Sequence, residues 1–470
     1  MEYEEIIRRL RDLVTQPVRR IAPENMKRAI GAYEDLTPRS KELFDKAKTL
    51  IPGGLEHNLS IKHPYPIVID KALGPYMWDV DGNQYIDFLS CGGPIILGHN
   101  YAPIRDAVAD VVQNNQAAHG VTSEYEIKAI EQIKKYVPSV ELFRFFASGT
   151  EADMATLRVA RVFTGKKKII KIGGSYHGWG DQLVYDMHIP GIKAIESHGI
   201  PNSVLKHTVS IPPNNEKKLK RVFKKYENDV AAIIVEPLGG ESGTHPIKPG
   251  WNQTLREICD EHGALLIFDE VVSGFRMAMG GAQEYYNVTP DLTAFGKIIT
   301  HGFPMCGGVG GREDVMIHFA AGIEGVEKGK KRTYTGGTVT ANPITCAACY
   351  HTIKAIAETN AIEKAAAAGD RLTKGLEELF EKYNLPFVAF NFKSVLHIET
   401  GAPLALRLSD PDIFTQINVR KKVMDEFQAA LLTEGVFTLA GSRGYTTMAH
   451  TNEIIDQALE AYDRVLQLVE

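Results

Sequence analysis

Cysteine is scarce in this sequence, with five residues among 470. A small secreted domain held by disulfides would be far shorter and richer in cysteine, so a disulfide framework is excluded. Cys346 and Cys349 have CxxC spacing, but no second pair accompanies them as in a structural zinc site. They lie in the alanine-rich run ITCAACYHTIKAIAE, where the buried face of a helix accounts for them better.

Long apolar runs and a strong excess of one charge are also missing. The longest apolar runs, 231–235 and 264–268, have the length of buried strands and are too short to cross a bilayer. The charged N-terminus MEYEEIIRRLRDLV lacks the pattern of a secretion signal, so we expect a cytoplasmic protein. A net charge of −5 argues against a nucleic-acid partner, because binding phosphates requires a basic face.

The composition is that of an ordinary globular protein, 44% hydrophobic and 24% charged. Between about 105 and 345, short apolar runs alternate with helical periods, which predicts a mainly parallel sheet covered on both faces. The length allows a second domain. We predict a helical arm at 1–45, the N-terminal part of a small domain at 46–104, a large domain at 105–345 and the C-terminal part of the small α+β domain at 346–470.

Four polar features follow predicted strands, where an open α/β sheet binds its ligands. In FASGTEADMATLRVAR, a tight turn of Ser148, Gly149 and Thr150 separates an apolar strand from a helix. Exposed backbone amides, the positive end of a helix and two hydroxyls suit a phosphate. Serine and threonine also cap helices everywhere, so this turn is weak evidence by itself.

The second feature is the run KIGGSYHGWG, in which glycines flank Tyr176 and His177. Glycine lets the backbone approach a ligand closely, and a flat ring can stack on a heterocycle. The alternative is a tyrosine that only packs the loop.

The third feature is Asp269, which follows five apolar residues in ALLIFDEV. A buried carboxylate is costly without a cationic partner, and a protonated pyridine nitrogen would be such a partner. An ordinary buried salt bridge or a cap remains the alternative.

The fourth feature is Lys297, in DLTAFGKIITHGFP. It is either a surface amine at the end of a strand or a desolvated lysine, which can act as nucleophile and proton shuttle. Taken together, a phosphate turn, a stacking ring, a carboxylate and such a lysine are the parts that hold pyridoxal phosphate.

With these residues the sequence resembles the class III (subgroup II) aminotransferases of fold type I, and most closely their glutamate-1-semialdehyde aminomutase branch. The matching runs include IPGG, WDVDGNQYIDF, YHGW, IIVEP, LLIFDEVVSGFR, VTPDLTAFGKII and GGTVTANP, and they extend from about residue 45 to the C-terminus. The resemblance implies an α/β protein with a large domain around a mainly parallel sheet. A smaller α+β domain is then built from both chain ends.

The resemblance also implies roles for single residues. Lys297 forms the internal aldimine with pyridoxal 5'-phosphate and moves the proton, and Asp269 keeps the pyridine nitrogen protonated. The remaining cofactor-binding residues are Ser148, Gly149 and Thr150 at the phosphate, Tyr176 on the ring, and His177 and Glu241 in the same pocket. Thr338, in the family's GGT motif, reaches the phosphate of the neighbouring subunit, which implies a homodimer with active sites at the interface. The alternative for Thr338 is a simple turn residue.

Three departures from the aminomutase pattern bear on the substrate. Ser60 replaces an arginine that binds the substrate carboxylate, Gly92 replaces a tryptophan, and Ser442 replaces a glutamate. These changes argue against the aminomutase reaction itself. They predict a donor pocket open to a larger or less charged molecule.

Arg443 falls where many class III transaminases carry the arginine that grips an α-carboxylate, and Glu241 matches their gating glutamate. An arginine fork suits two carboxylate oxygens, and a glutamate can neutralise that arginine until the keto acid arrives. We expect the two residues to form such a switch. The alternative is that Arg443 is an ordinary loop arginine.

The sequence thus predicts a transaminase that moves an amino group from a β- or ω-amino acid, or an amine derivative, to 2-oxoglutarate or pyruvate through a pyridoxamine form. An aminomutase, or an amino-acid racemase or epimerase, on the same fold is the alternative. A non-enzymatic cofactor-binding protein would need to have lost Lys297 or Asp269, and both are present. We expect no metal site.

Overall fold

The computed structural model describes residues 1–57, 59, 63–114, 119–320, 331–407 and 409–470. It divides into two compact units, one formed by Met1–Tyr101 with Asn360–Glu470 and the other by Ala102–Thr359. The N-terminal helices, expected as an arm, belong to the first unit. Helix Pro343–Thr359, most of which we placed in the C-terminal domain, belongs to the second.

In chain order the strands are β1 (Ile69–Leu73), β2 (Tyr76–Asp79), β3 (Gln84–Asp87), β4 (Leu142–Phe146), β5 (Lys168–Ile172), β6 (Thr208–Ile211), β7 (Val230–Val235), β8 (His245–Pro246), β9 (Leu265–Asp269), β10 (Leu292–Phe295), β11 (Gly307–Gly311), β12 (Val388–Phe392), β13 (Val395–Glu399), β14 (Val436–Phe437) and β15 (Arg443–Tyr445).

The helices are α1 (Tyr3–Thr15), α2 (Pro23–Leu36), α3 (Pro38–Ala47), α4 (Ala102–Asn114), α5 (Glu124–Tyr136), α6 (Gly149–Thr164), α7 (Glu216–Lys225), α8 (Trp251–His262), α9 (Gly281–Tyr286), α10 (Glu313–Met316), α11 (Pro343–Thr359), α12 (Ala361–Lys382), α13 (Ile413–Thr433) and α14 (Asn452–Leu466). None of the helices in the described part of the chain is long and apolar enough to span a membrane.

The second unit is built on a seven-stranded sheet with the order β4-β11-β10-β9-β7-β5-β6. β11 runs antiparallel to both of its neighbours. In the remaining part of the sheet, β10-β9-β7-β5-β6, all neighbouring strands are parallel. The predicted mainly parallel sheet is therefore confirmed.

Both faces of this sheet are covered, which explains its continuous apolar strands. Every residue of β7 and β9 is buried. Successive residues point to opposite faces: Ile234 and Ile267 belong to one core cluster, whereas Ile233 and Leu266 belong to the other. In β7 and β9, polar residues therefore come only at the carboxyl end of the strand.

The first unit contains two smaller sheets. One has the order β1-β2-β3-β14, and its last pair is parallel. The other is the antiparallel sheet β12-β13-β15. Since β3 precedes the large sheet in the chain and β14 follows it, this α+β unit is assembled from both chain ends, as expected.

Candidate active site

Asp269 and Lys297 lie at the carboxyl ends of two neighbouring strands of the large sheet. β9 and β10 are parallel neighbours, and Asp269, the last residue of β9, is in register with Ala294. The next amide, that of Glu270, donates to the carbonyl of Ala294 at 2.9 Å. Because Lys297 follows β10 after one glycine, both side chains start from adjacent carboxyl ends of strands, where α/β sheets bind ligands.

The carboxylate of Asp269 is 5% exposed and is held by two donors. The amide of Val271 donates to Oδ1 at 3.0 Å, and Oδ2 lies 2.7 Å from Nδ1 of His177. Burial lowers the pKa of His177, and the hydrogen bond to Asp269 opposes that shift. An ionised carboxylate only accepts, so the ring hydrogen is on Nδ1. Nε2 of His177 is buried and has no partner in the described part of the chain.

Asp153, on α6, is a member of this cluster that the sequence analysis missed. One carboxyl oxygen of Asp153, one of Asp269 and a ring nitrogen of His177 all lie within 4.8 Å of one another. Burial, then the charge of Asp269 and a hydrogen bond to it, and the charge of Glu236, raise the pKa of Asp153 well above its ordinary value. The signal in the sequence that could have identified Asp153 is a carboxylate on the face of α6 that carries the buried residues.

The predicted phosphate turn lies at the start of α6. Oγ of Ser148 accepts from the amide of Glu151 at 3.2 Å, and Oε2 of Glu151 accepts from the amide of Ala147 at 3.0 Å. This capping arrangement leaves the amides of Gly149 and Thr150, in the first turn, without partners inside the helix. They are available to an anion.

Val271 connects the phosphate turn to the lysine. A Cβ on Gly149 would lie 2.7 Å from Cγ2 of Val271, and a Cβ on Gly296 would lie 2.9 Å from its Cγ1. The valine side chain therefore packs directly against the turn and against the residue that precedes Lys297. The structure thus brings together the Ser148–Thr150 turn, Asp269 and Lys297.

Lys297 itself is half-buried and opens a short 3-10 turn, Lys297–Thr300. Its φ of 43° lies in the left-handed region. For a residue with a side chain such a backbone costs about 1–3 kcal/mol, and it occurs preferentially at functional sites.

The loop with Tyr176 and His177 contacts the phosphate turn. A Cβ on Gly178 would lie 2.1 Å from Oγ1 of Thr150, so only glycine allows this approach. The ring of Tyr176 is 46% exposed, which leaves it accessible for stacking. Its backbone amide donates to Oε1 of Glu236 at 2.8 Å.

Glu236 was also missed by the sequence analysis, although it stands directly after β7. Besides Tyr176, it accepts from the amides of Glu241 at 3.0 Å and Ser242 at 2.8 Å. Both of these residues have left-handed φ angles, 55° and 57°, which the carboxyl group helps to hold. Burial, aided by the charges of Asp269 and Glu241, raises the pKa of Glu236 to about 8.

Lys171, in β5, is hydrogen-bonded to the backbone of the segment that follows β5 and contains Tyr176. Its Nζ is buried and donates to the carbonyls of Ser175, Leu183 and Tyr185 at 3.0, 3.1 and 2.8 Å. Burial lowers the pKa of this amine to about 8. The sequence analysis did not identify it, because a lysine inside an apolar strand is not distinguishable by pattern from one at an edge.

The predicted substrate residues fall in both units. In the second unit, Oε1 of Glu241 lies 2.5 Å from Nδ1 of His188. In the first unit, Arg443 opens β15 and lowers the pKa of Glu399, which burial nevertheless raises to about 7. The switch between Glu241 and Arg443 stays a prediction.

Gly92 and Arg443 lie near each other in the first unit. Gly92 closes a short 3-10 turn that begins at Ser90, and Oγ of Ser90 donates to the carbonyl of Tyr445, in β15, at 3.4 Å. Gly92 is buried, with a φ of 79°. Ser60 lies outside the described residues.

Thr338 lies in the second unit. It is exposed and lines a separate cavity of about 590 Å³ together with Arg144 and Phe319. Neither Asp269 nor Lys297 lines this cavity.

Comparison with known proteins agrees with this geometry. Residues 60–395 match the model of the class III aminotransferase family. An omega-transaminase from Sphaerobacter thermophilus is similar in structure, with 30% identity over 91% of this chain and 97% of that one and a TM-score of 0.80. A beta-phenylalanine aminotransferase from Variovorax paradoxus has 26% identity over 93% and 97% of the two chains, with a TM-score of 0.79.

The aminomutase branch is represented by a glutamate-1-semialdehyde aminomutase from Pseudomonas aeruginosa PAO1. The identity is 19% over 98% of this chain and 99% of that one, with a TM-score of 0.80. At this identity the likeness shows a shared fold only. The family match, the omega-transaminase and the mainly parallel sheet agree with one another, and they show that this chain belongs to the class III aminotransferases, enzymes of fold type I that depend on pyridoxal 5'-phosphate.

Proposed function

We propose that this enzyme is a transaminase that takes an amino group from a β- or ω-amino acid, or from a related amine, and transfers it to 2-oxoglutarate or pyruvate. The observation that carries the proposal is the placement of Asp269 and Lys297 at adjacent strand ends, with the phosphate turn beside them. A buried anion, an amine and free helix amides at one edge are the groups that pyridoxal phosphate requires.

The residues fit that cofactor in three respects. The amides of Gly149 and Thr150 would bind its phosphate, and Val271 leaves no room for a side chain on Gly149. Asp269 would bind its ring nitrogen, since the carboxylate is buried and its hydrogen-bond partners among the described residues are the amide of Val271 and the ring of His177. Tyr176, with its exposed ring, would stack on it. When bound, the cofactor supplies an electron-accepting ring that stabilises negative charge on the carbon losing a proton.

Lys297 is the residue that we propose holds the cofactor covalently and moves protons at its Nζ. Its backbone is left-handed and one glycine separates it from the end of β10, so the chain leaves the strand at this lysine. Asp269 would accept a hydrogen bond from the protonated ring nitrogen, and the hydrogen bonds that it accepts from Val271 and His177 stabilise a carboxylate at this position.

We propose that Thr338 acts in the active site of a second copy of the chain, in a homodimer. The residue is exposed and lines a cavity that neither Asp269 nor Lys297 lines. If its hydroxyl binds the phosphate of a second copy, as the GGT motif implies, the active site is complete only in the dimer.

The choice of donor rests on the departures from the aminomutase pattern and on the relatives. By the resemblance, Ser60 and Gly92 stand where the aminomutases have a carboxylate-binding arginine and an aromatic ring, and these replacements favour a larger or less charged donor. Two similar structures are an omega-transaminase and a beta-phenylalanine aminotransferase. Arg443 would bind the α-carboxylate of the keto acid, and Glu241 would neutralise it between the half-reactions.

The half-reaction tests this proposal. Purified holoenzyme is mixed with a single amine and no keto acid while its visible spectrum is followed. We expect a β- or ω-amino donor to abolish the yellow absorbance, and 2-oxoglutarate or pyruvate to restore it. An unchanged spectrum with deuterium incorporation from solvent would indicate a racemase or epimerase, and an isomerised product without any keto acid would indicate an aminomutase.

A further inference from the structure

We infer that Asp153 is a positioning residue: a buried, neutral carboxylic acid that donates its proton to Asp269 and so keeps Asp269 as the anion that faces the ring nitrogen. This inference rests on the proposed function for the role of Asp269. The protonation of Asp153 can be tested without that function.

The geometry places two acids side by side inside the protein. Asp153 is 1% exposed, and its carboxyl oxygen lies within 4.8 Å of an oxygen of Asp269 and of a nitrogen of His177. Two carboxylates this close, both away from water, cannot both carry a charge, so one of them holds a proton.

The groups that face Asp153 decide which acid is neutral. Asp269 comes from the end of β9 and Glu236 from the end of β7, and the ring of His177 and the phenol of Tyr176 come from the loop after β5. In the described part of the chain, the two ionisable groups whose charge acts on Asp153 are both acids, Asp269 and Glu236, so neither offsets a negative charge on Asp153.

The hydrogen bonds point to Asp153 as the protonated partner. Asp269 accepts from Val271 and His177, which stabilises its charged form. Oδ1 of Asp153 is buried and has no hydrogen-bond partner among the described residues. An uncompensated negative charge there would be costly, whereas a neutral acid can donate to Asp269. In agreement, the pKa of Asp153 is raised well above its ordinary value by burial and by its negative neighbours.

The consequence concerns the proton that lies between Asp269 and the ring nitrogen of the cofactor. Val271, His177 and Asp153 would all donate to the carboxylate of Asp269, and these hydrogen bonds stabilise its charged form. A proton shared between Asp269 and the ring nitrogen would then stay on the ring, where the chemistry requires it. A residue at position 153 that cannot donate would shift that proton toward Asp269.

The first experiment uses the protein without cofactor and measures thermal unfolding from about pH 5 to about pH 9. Wild type is compared with Asp153→Asn, which keeps a donor but cannot ionise, and with Asp35→Asn as an exposed control. A folded-state pKa above the unfolded one means that wild type loses stability as pH rises between the two values. We therefore expect the Tm of wild type, relative to D153N, to fall with rising pH. A difference that is constant, or that grows with pH, would overturn the inference.

The second experiment uses holoenzyme with cofactor labelled at the ring nitrogen and observes that nitrogen by ¹⁵N NMR. D153N should keep the signal of a protonated ring, whereas Asp153→Val, of similar shape but without a donor, should shift it toward the unprotonated form. The same valine variant should lower kcat by about tenfold, the factor expected for one lost hydrogen bond of about 1.4 kcal/mol. An unshifted D153V signal contradicts the role of Asp153.

A divalent cation is the competing occupant of this cluster. If dialysis against EDTA lowers the Tm of wild type but not of D153N, the inference is wrong. The two proposals also fail separately: a wild-type protein that binds no cofactor refutes the proposed function, whereas the apoprotein melting curves still decide the state of Asp153.

Discussion

The side chain of Val271 occupies the space that a Cβ on Gly149 would need, with 2.7 Å between that Cβ and Cγ2 of the valine. The phosphate turn is thus positioned by a residue two places after Asp269, and not only by its own sequence.

This contact predicts the behaviour of Gly149→Ala. The new methyl group must displace Val271 or the turn, and if the turn gives way, a cost of about 1–3 kcal/mol would lower cofactor affinity about 5- to 150-fold. The double variant with Val271→Ala should recover much of that loss, because the smaller side chain makes room. Equilibrium binding of pyridoxal phosphate to the apoprotein measures all three. Additive losses in the double variant would show that the two residues do not share this space.

Lys297 is expected to be the site of covalent attachment. Replacement by alanine should abolish labelling by borohydride reduction in the presence of the cofactor and lower kcat by about 10²–10⁴-fold, the usual contribution of a positioned proton-transfer group. Peptide mapping of the reduced protein identifies the labelled lysine. Lys167→Ala is a suitable control, since that lysine is exposed. A label on any residue other than 297 would refute the assignment.

Lys171 should matter for stability rather than for chemistry. Its removal in Lys171→Met leaves three carbonyls without their donor, and we expect the free energy of unfolding near neutral pH to fall by about 3 kcal/mol or more. Chemical denaturation compares this variant with Lys167→Met, which should be close to wild type.

The contribution of Lys171 should also depend on pH. Burial lowers its pKa from 10.5 to about 8, so the unfolded chain keeps a proton that the folded chain releases between these values. The stability of wild type relative to K171M should therefore rise with pH from about 8 toward 10.5. A difference that falls over this range would show that the amine is not desolvated.

Arg443 is predicted to bind the keto acid. In Arg443→Ala we expect KM for 2-oxoglutarate or pyruvate to rise about tenfold or more, because a bidentate charged hydrogen bond is lost. The rate of the first half-reaction with a donor lacking an α-carboxylate should change much less. Arg443→Lys keeps the charge but not the fork and should be intermediate. Equal KM values in wild type and R443A would leave Arg443 as an ordinary loop residue.

The sequence could predict which polar residues lie at the carboxyl ends of the strands. Continuous apolar runs such as ALLIF identify buried parallel strands, and the residue after each run lies at the carboxyl end of its strand. Asp269, Lys297 and the Ser148–Thr150 turn were identified in this way. Glu236 also follows such a run, but nothing local indicates that its carboxyl group accepts three backbone amides from two other segments.

The sequence by itself determined the family, the mainly parallel sheet and the cofactor, since these depend on local patterns and motifs. Only the tertiary structure decided that Asp153 lies close to Asp269 and that Val271 packs against both Gly149 and Gly296. It also decided that Lys171 is hydrogen-bonded to the backbone of the Tyr176 loop. The contacts of Asp153 and Val271 join residues far apart in the chain, whereas Lys171 contacts carbonyls only 4 to 14 residues away. Their energies come from burial and from nearby charge, which exist only after the sheet and its helices have packed.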